Sequence, residues 1–300
     1  MKMLLAGEWA HEIYEKSCAD ALMRIGVDVE AFRFGRYFSG PLGRLERWSM
    51  TAGPCTRRMN DAIIRAVSER THDVVFVWRG VQLLPDTLRR LRSKCGLLVS
   101  YNNDDPFSAQ YARSKNLHQR RLWKHFTEGL PVYHLNFVYR LKNVRDYESA
   151  GASTPGLLLP YFVPTAHHPV PGPKGRDFDG VFVGHYEPDE RYPSIAALRA
   201  AGIRVKIHGT GWGGCPELGD ERRLITAARG EQYSEVVSSA HFALSFYSKL
   251  NSDTYTRRVF ELPAMATVLV STRTPEMNEL FADGTEAILF SDAAELVDRV

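Results

Sequence analysis

Two arginines and a glutamate, Arg257, Arg258 and Glu261, close a polar run that starts at Tyr247 and passes through Ser248, Lys249, Asn251, Ser252, Asp253, Thr254 and Thr256. The run follows the apolar stretch Phe242 to Phe246 and leads into Val259, Phe260 and Leu262, so it reads as a strand, a polar loop and the start of a helix. Free backbone N–H groups and the positive dipole end at such a helix start favour a phosphate, and an arginine adds charge-assisted hydrogen bonds. Arg257 and Arg258 are consecutive, so one is expected to face inward and the other solvent. Glu261 lies one turn beyond Arg258, where a carboxylate can accept both hydroxyls of a ribose. The plain alternative is an internal Arg258–Glu261 pair on an ordinary helix.

A second candidate set, Asn102-Asn103-Asp104-Asp105-Pro106, follows the apolar run Gly96 to Tyr101. A carboxylate at a strand end in an open α/β sheet faces the ligand side, so Asp104 or Asp105 can serve as a general base for an acceptor hydroxyl. Alternatively the segment is a turn in which Asp105 caps a helix. Glu8 and His11, just past the first apolar stretch, are further acceptor-side candidates; an acid placed there can equally serve only the helix dipole.

Other signals point less far. Gly209-Thr210-Gly211-Trp212-Gly213-Gly214 follows a strand and spells G-x-G-x-x-G, but Cys215-Pro216-Glu217 comes next instead of an apolar helix. It reads as a loop bordering a nucleotide base or as a plain turn. His167 and His168 are adjacent in an extended stretch, so their side chains point apart, and no third ligand has metal spacing. No metal is expected. The basic run Arg113, Lys115, Arg120, Arg121 and Lys124, interleaved with Leu117, Leu122 and Trp123, fits a solvated helix face, with an anionic acceptor or a membrane surface as the other readings.

These residues need strands and helices to position them, and the chain supplies the pattern twice. An apolar strand at Met3–Ala6, a Gly7 turn, a helix with Tyr14, Cys18, Leu22 and Ile25 on one face and a strand at Val27–Phe32 form a parallel βαβ unit covered on both faces. Further strands are expected at 72–78, 96–101, 132–137 and 156–159, with helices through Leu83, Leu88 and Leu91 and over 140–151. Five prolines between Pro160 and Pro173 then mark a linker. Beyond it strands are expected at 179–184, 203–208, 242–246, 268–271 and 286–290, with helices at 194–201, 231–239, around 260–262 and at 275–280. The expected organisation is an α/β protein: a Rossmann-like half over 1–162, a Pro-rich linker over 163–177 and a second Rossmann-like half over 178–300. Ligands of such sheets sit outside the carboxyl ends of the strands, and two facing halves would share a cleft.

Bulk composition sets the outer limits. With 300 residues, 44% hydrophobic and 24% charged, the chain can bury a large core. A formal net charge of +3 offers no strong field for nucleic acid. The opening apolar run is cut by Glu8, too short for a signal peptide, and no later run reaches a membrane span. The four cysteines lie far apart without a C-x-x-C pair, as reduced thiols would. A cytoplasmic protein is expected, with peripheral membrane contact kept open.

The stretch Thr256 to Ala264, continuing into Val268 to Ser271 and Gly284-Thr285-Glu286, resembles the C-terminal region of the CgeB-like glycosyltransferases, which are GT-B enzymes related to the group-1 and family-4 enzymes. Asp179 to Gly184 with Arg191, and Gly202 to Gly209 with Trp212, are similar to the start of that family's donor domain, and Tyr101 to Pro106 to its N-terminal acidic loop. The resemblance implies transfer of a sugar, of the hexosyl type, from a nucleotide-diphosphate sugar to a glycan, lipid-linked or small acceptor, with no metal and no further cofactor. It implies that Glu261 holds the donor ribose, Arg258 neutralises the leaving diphosphate, Asn251 and Thr256 touch the phosphates, and Gly184, Gly209 and Trp212 border the donor. Asp253 stands where related retaining enzymes carry a glutamate against the donor sugar. Met265-Ala266-Thr267 replaces a usual glycine. The sequence stops at Val300, soon after the last expected strand, whereas the family normally adds helices that cross back to the N-terminal half, so the expectation is either a trimmed chain or an absent closing helix. A nucleotide-sugar epimerase of the same fold and a non-catalytic nucleotide-sugar binder are the alternatives. A two-lobed receptor fits less well, since it would cross between lobes several times.

Overall fold

A computed structural model describes residues 1–175 and 177–300. The chain divides into two compact units, Met1–Leu159 and Pro160–Val300.

The first unit is built on a six-stranded sheet of β1 (Lys2–Gly7), β2 (Asp28–Arg33), β3 (Val74–Trp78), β4 (Leu97–Asn102), β5 (Leu135–Val138) and β6 (Pro155–Leu157), in the order β2-β1-β3-β4-β5-β6. Every pairing is parallel. The inner strands are apolar runs because helices cover both faces: Leu4, Leu5, Val75, Val77 and Leu98 are fully buried. β2 departs from the expectation, since as an edge strand it buries only Phe32 and leaves Asp28 and Arg33 exposed. So does the first helix. A wide π turn over Glu12–Lys16 precedes the α-helix Ser17–Arg24, shifting the facing residues, and Ile25 ends in solvent.

Two helices that the sequence reading leaves out fill the interval before β3, Pro41–Ser49 and Pro54–Glu69. Each starts with proline in its first turn, where the missing N–H costs nothing. The longer packs Met59, Ile63, Ile64 and Val67 into the core with Phe32, Phe34 and Leu88. The basic run after β4 forms short helices at Ala109–Arg113, Leu117–Arg121 and Lys124–Gly129. Its five cations lie in solvent, while Leu122 and Trp123 are buried.

The second unit carries a five-stranded parallel sheet, β7 (Gly180–Val183), β8 (Val205–His208), β9 (Phe242–Ser245), β10 (Val268–Thr272) and β11 (Ile288–Phe290), in the order β11-β10-β9-β7-β8. Phe182, Ile195, Leu198, Leu244, Phe246, Val270 and Phe290 form its core. A helix at Ala293–Arg299, capped by the Asp292 carboxylate on two N–H groups, follows the last strand. The Pro-rich stretch is fastened to this unit: the Val170 N–H donates to Ser238 Oγ at 3.0 Å, and Ser234 Oγ donates to the Ala166 carbonyl at 2.6 Å. Among the described residues no helix is long and apolar enough to cross a membrane. All four cysteines are unpaired.

Candidate active site

The helix Arg258–Ala264 follows the polar loop after β9. Val259 and Leu262 anchor it in the core, which turns Glu261 inward beside them. With seven residues it holds barely two turns, so its dipole is small and the local charge comes chiefly from side chains. The expectation that one of the two arginines faces solvent is overturned. Arg257 is buried, Arg258 is half-buried, and both guanidinia lie over aromatic rings, that of Arg257 5.0 Å from the Tyr161 centroid and that of Arg258 5.0 Å from Tyr233.

Glu261 pairs with Arg257 instead of Arg258. Arg257 Nη2 and Nε donate to Glu261 Oε1 at 2.8 and 3.1 Å, and the Tyr233 hydroxyl donates to Oε2 at 3.1 Å. His167 Nε2 lies 3.7 Å from Oε1. Burial alone would raise the carboxyl pKa, but Arg257, then Arg258 and His167, outweigh it and hold Glu261 below the ordinary glutamate value. His167 Nδ1 accepts the Val163 N–H at 2.9 Å, so in the neutral ring the proton sits on Nε2, facing Glu261. Burial chiefly depresses the pKa of His167, with Glu261 opposing. Among the described residues no carboxylate lies within ion-pair distance of Arg258.

The loop leading to this helix is held at several points. Arg191, buried, donates to the carbonyls of His185 at 3.0 Å and Tyr247 at 3.3 Å, and pairs with Glu187 at 2.9 Å, which joins the loops after β7 and β9. Lys249 reaches Glu190 at 2.9 Å. Asn251 and Asp253 flank Ser252, whose φ of 51° turns the chain. Thr256 Oγ1, just before the arginines, is buried and has no hydrogen-bond partner among the described residues.

Gly184, Gly209 and Trp212 come together just past the ends of β7 and β8. Trp212 is 1% exposed and donates its indole N–H to the Gly184 carbonyl at 3.0 Å. Trp212, expected to border the donor, is instead packed against Phe182 and Tyr186, with ring centroids 5.9 and 5.3 Å away, and braces the turn after β8. Gly209, at φ 150°, lies against the same carbonyl, where a Cβ would collide. Within G-x-G-x-x-G it is Gly209 that permits close backbone packing.

In the first unit the acidic loop also separates into roles. Asp105 is fully buried; its Oδ1 accepts the Phe107 N–H at 3.0 Å and Asn143 Nδ2 at 2.8 Å, and Lys142 meets Oδ2 at 3.2 Å. A carboxylate so occupied is structural, which corrects its expected role as a base. Asp104 is paired with Arg79 at 2.7 Å, and the Asn103 carbonyl accepts from Arg140 at 3.0 Å. His11 is exposed and stacks edge-on with Tyr14. Glu8 meets Arg47 at 3.2 Å, while its Oε1 is buried without a partner.

Arg257, Tyr233 and His167 were missed as parts of the Glu261 cluster. The first had a readable signal in its four-residue spacing from Glu261. The other two reach it through tertiary folding and leave no local mark.

The Glycosyl transferase-like family matches residues 191–300, a span that includes Arg191, the polar loop and the helix bearing Arg258 and Glu261. No curated protein matches the sequence. Among solved structures, sucrose-phosphate synthase from Thermosynechococcus elongatus superposes with a TM-score of 0.69 at 11% identity, covering 100% of this chain and 88% of its own. Anabaena HepE in complex with UDP-glucose gives 0.61 at 11% identity, covering 99% and 88%. UDP-GlcNAc 2-epimerase from Methanocaldococcus jannaschii gives 0.56 at 13%, covering 100% and 91%. The shared fold is two Rossmann-like parallel-sheet units in series, as in GT-B proteins.

Proposed function

We propose that the protein is a glycosyltransferase that uses a nucleotide-diphosphate sugar, bound by its second unit at the loop 247–257 and Arg258. The observation that carries this reading is the family match over 191–300, because it spans the loop and helix whose geometry suits a diphosphate. Among the described residues no carboxylate pairs with Arg258, Glu261 being taken by Arg257, and Thr256 Oγ1, two residues before it, has no hydrogen-bond partner. Solved neighbours in complex with UDP-glucose or described as sucrose-phosphate synthase support the same class.

On this reading the bond from the sugar C1 to the diphosphate breaks while an acceptor oxygen bonds to C1 and passes its proton to a base, Asp104 or a phosphate oxygen of the leaving group. Negative charge gathers on the leaving group and positive charge on the sugar ring. Arg258 stabilises the leaving diphosphate, in a role worth about 3 kcal/mol for one well-placed donor. Thr256 and Asn251 donate to phosphate oxygens, and Asp253 stands nearest the sugar. Glu261 takes a ribose hydroxyl on lone pairs that Arg257 and Tyr233 leave over. No metal is needed, since the guanidinium supplies the charge. A CgeB-like subtype and a hexosyl donor belong to this proposal.

Thermal shift with UDP, GDP, dTDP and their sugars in the presence of EDTA tests it. One diphosphate should stabilise the protein, by about 2.7 kcal/mol at a hundred times its Kd. Arg258→Ala should remove that shift. Stabilisation by NAD alone, or release of free epimerised sugar in place of transfer, would overturn the assignment.

A further inference from the structure

A cavity of about 360 Å3 lies wholly within the first unit, at the carboxyl ends of β1 and β3. Glu8 reaches it from the end of β1 and Arg79 from the end of β3, while Arg44, Arg47 and Trp48 come from the helix Pro41–Ser49. Arg44 and Arg47, three residues apart, share one face of that helix. Arg79 is fixed by Asp104 and by the Trp123 ring, 5.3 Å away. Three guanidinia against Glu8 and Asp104 leave one positive charge in excess, and among the described residues Arg44 makes no ion pair. That is a setting for an anion.

Two acceptors in the wall point to hydroxyls as well. Among the described residues neither Glu8 Oε1 nor Gln82 Oε1, both buried, has a hydrogen-bond partner, and Gln82 is only 6% exposed. Buried acceptors left unpaired cost free energy that a donor from a ligand would recover. Burial raises the Glu8 pKa, Arg47 opposes it, Glu15 adds to it and Arg79 opposes it, with a net rise. Trp48 is 53% exposed, offering a ring face for the C–H face of a sugar. The volume suits a ligand of monosaccharide size, near the low end of the roughly 300–1,000 Å3 of small-molecule sites.

We propose that this cavity binds a monosaccharide-sized ligand carrying a phosphate or a carboxylate, with the anion between Arg44 and Arg47 and its hydroxyls donating to Glu8 and Gln82. The inference rests on the glycosyltransferase reading only in naming this ligand the acceptor; the binding stands by itself.

Calorimetric titration of the full chain without nucleotide, using glucose 6-phosphate, glucuronate, glucose and inorganic phosphate, tests it. Glucose 6-phosphate or glucuronate should bind at least about tenfold tighter than glucose, and the tighter of the two identifies the anion. Arg44→Ala and Arg47→Ala should each weaken that binding about tenfold, the loss expected of one charge-assisted hydrogen bond. Arg44 is exposed, so its variant keeps the fold, which circular dichroism checks. Arg258→Ala should leave sugar-phosphate binding intact while removing nucleotide binding, so failure of one assignment is visible apart from the other. Glucose binding as tightly as the anionic sugars, inorganic phosphate binding as tightly as glucose 6-phosphate, or no binding at roughly 10 mM ligand overturns the proposal.

Discussion

Arg257 donates through both Nε and Nη2 to a single oxygen of Glu261, Oε1, at 3.1 and 2.8 Å. The pair lies four residues apart on the helix, and both side chains are nearly out of solvent. At such a site the desolvation of two ions has already been met by their mutual attraction and by the Tyr233 hydroxyl on Oε2. Deleting either partner removes the ion pair and leaves the other charge buried. Glu261→Ala and Arg257→Ala are expected to lose about 3–5 kcal/mol in urea unfolding. Arg258→Ala, which breaks no ion pair, should lose roughly 1 kcal/mol. Equal stability of Glu261→Ala and the parent protein would show the pair to be without structural weight.

His167 and Glu261 give the second unit a pH dependence whose sign follows from their environments. Both have folded pKa values below their ordinary ones of 6.5 and 4.5, so each contributes stability above those values and loses it as pH falls through the folded pKa. Stability should decline first below pH 6.5, as His167 must take up a proton beside Arg257 and Arg258, and again in the carboxylate range. His134 and His208 are shifted the same way, so the parent curve alone does not isolate the step. The difference between parent and His167→Gln, followed by chemical denaturation from pH 8 to 5, does. A difference that stays constant over that range removes His167 from the account.

Glu8 has the opposite sign. Its pKa is raised by burial despite Arg47 and Arg79, so ionising it in the folded protein costs stability as pH rises through the raised value. Glu8→Gln should therefore be more stable than the parent at pH 7 by about 0.5–2 kcal/mol, the gain common when a functional site is relieved of strain. At pH 4, where the parent carboxyl is protonated, the two should unfold together. A glutamine variant less stable at pH 7 would mean that the Arg47 contact dominates.

Much of this fold can be read from the chain because inner parallel strands are apolar on both faces, as Met3–Ala6, Val74–Trp78 and Phe242–Ser245 are. Where that rule weakens, reading fails. The edge strand β2 mixes Asp28, Glu30 and Arg33 into its run, and in the helix Pro54–Glu69 the core residues Met59, Ile63, Ile64 and Val67 stand among Arg57, Arg58, Asp61 and Arg65. Pro54 was the signal there. At the site, the helix and its charged residues follow from local pattern, but the choice of Arg257 as partner depends on which way Val259 and Leu262 anchor the helix. Tyr233 and His167 come from distant segments, and no spacing rule connects them with Glu261.

Asp104 and Asp105 are chemically alike and adjacent, yet they should behave differently. Asp105 is fully buried and binds Phe107, Asn143 and Lys142, fastening the loop after β4 to the helix Leu141–Ser149. Asp105→Ala should cost about 3 kcal/mol through its stranded donors. Asp104→Ala loses a partly exposed pair with Arg79, worth about 1 kcal/mol or less. Parallel melts of the two variants check this, and the reverse ranking would reassign the structural role to Asp104.

Gly209 carries the last prediction. Its φ of 150° is one that an L side chain rarely adopts, and the space where a Cβ would project is filled by the carbonyl oxygen of Gly184. That carbonyl cannot withdraw, because it accepts the buried indole N–H of Trp212, and the Gly184 N–H is itself bonded to the His208 carbonyl at 2.8 Å. Gly209→Ala must therefore distort the junction of β7 and β8, at a cost expected to exceed about 3 kcal/mol. Gly213, with open space around its Cβ and no positive φ, provides the control within the same motif. Gly213→Ala should stay within roughly 1 kcal/mol of the parent. If the two alanine variants unfold at the same denaturant concentration, the motif's glycines are not there for backbone packing, and a ligand-contact role for Gly209 regains its place.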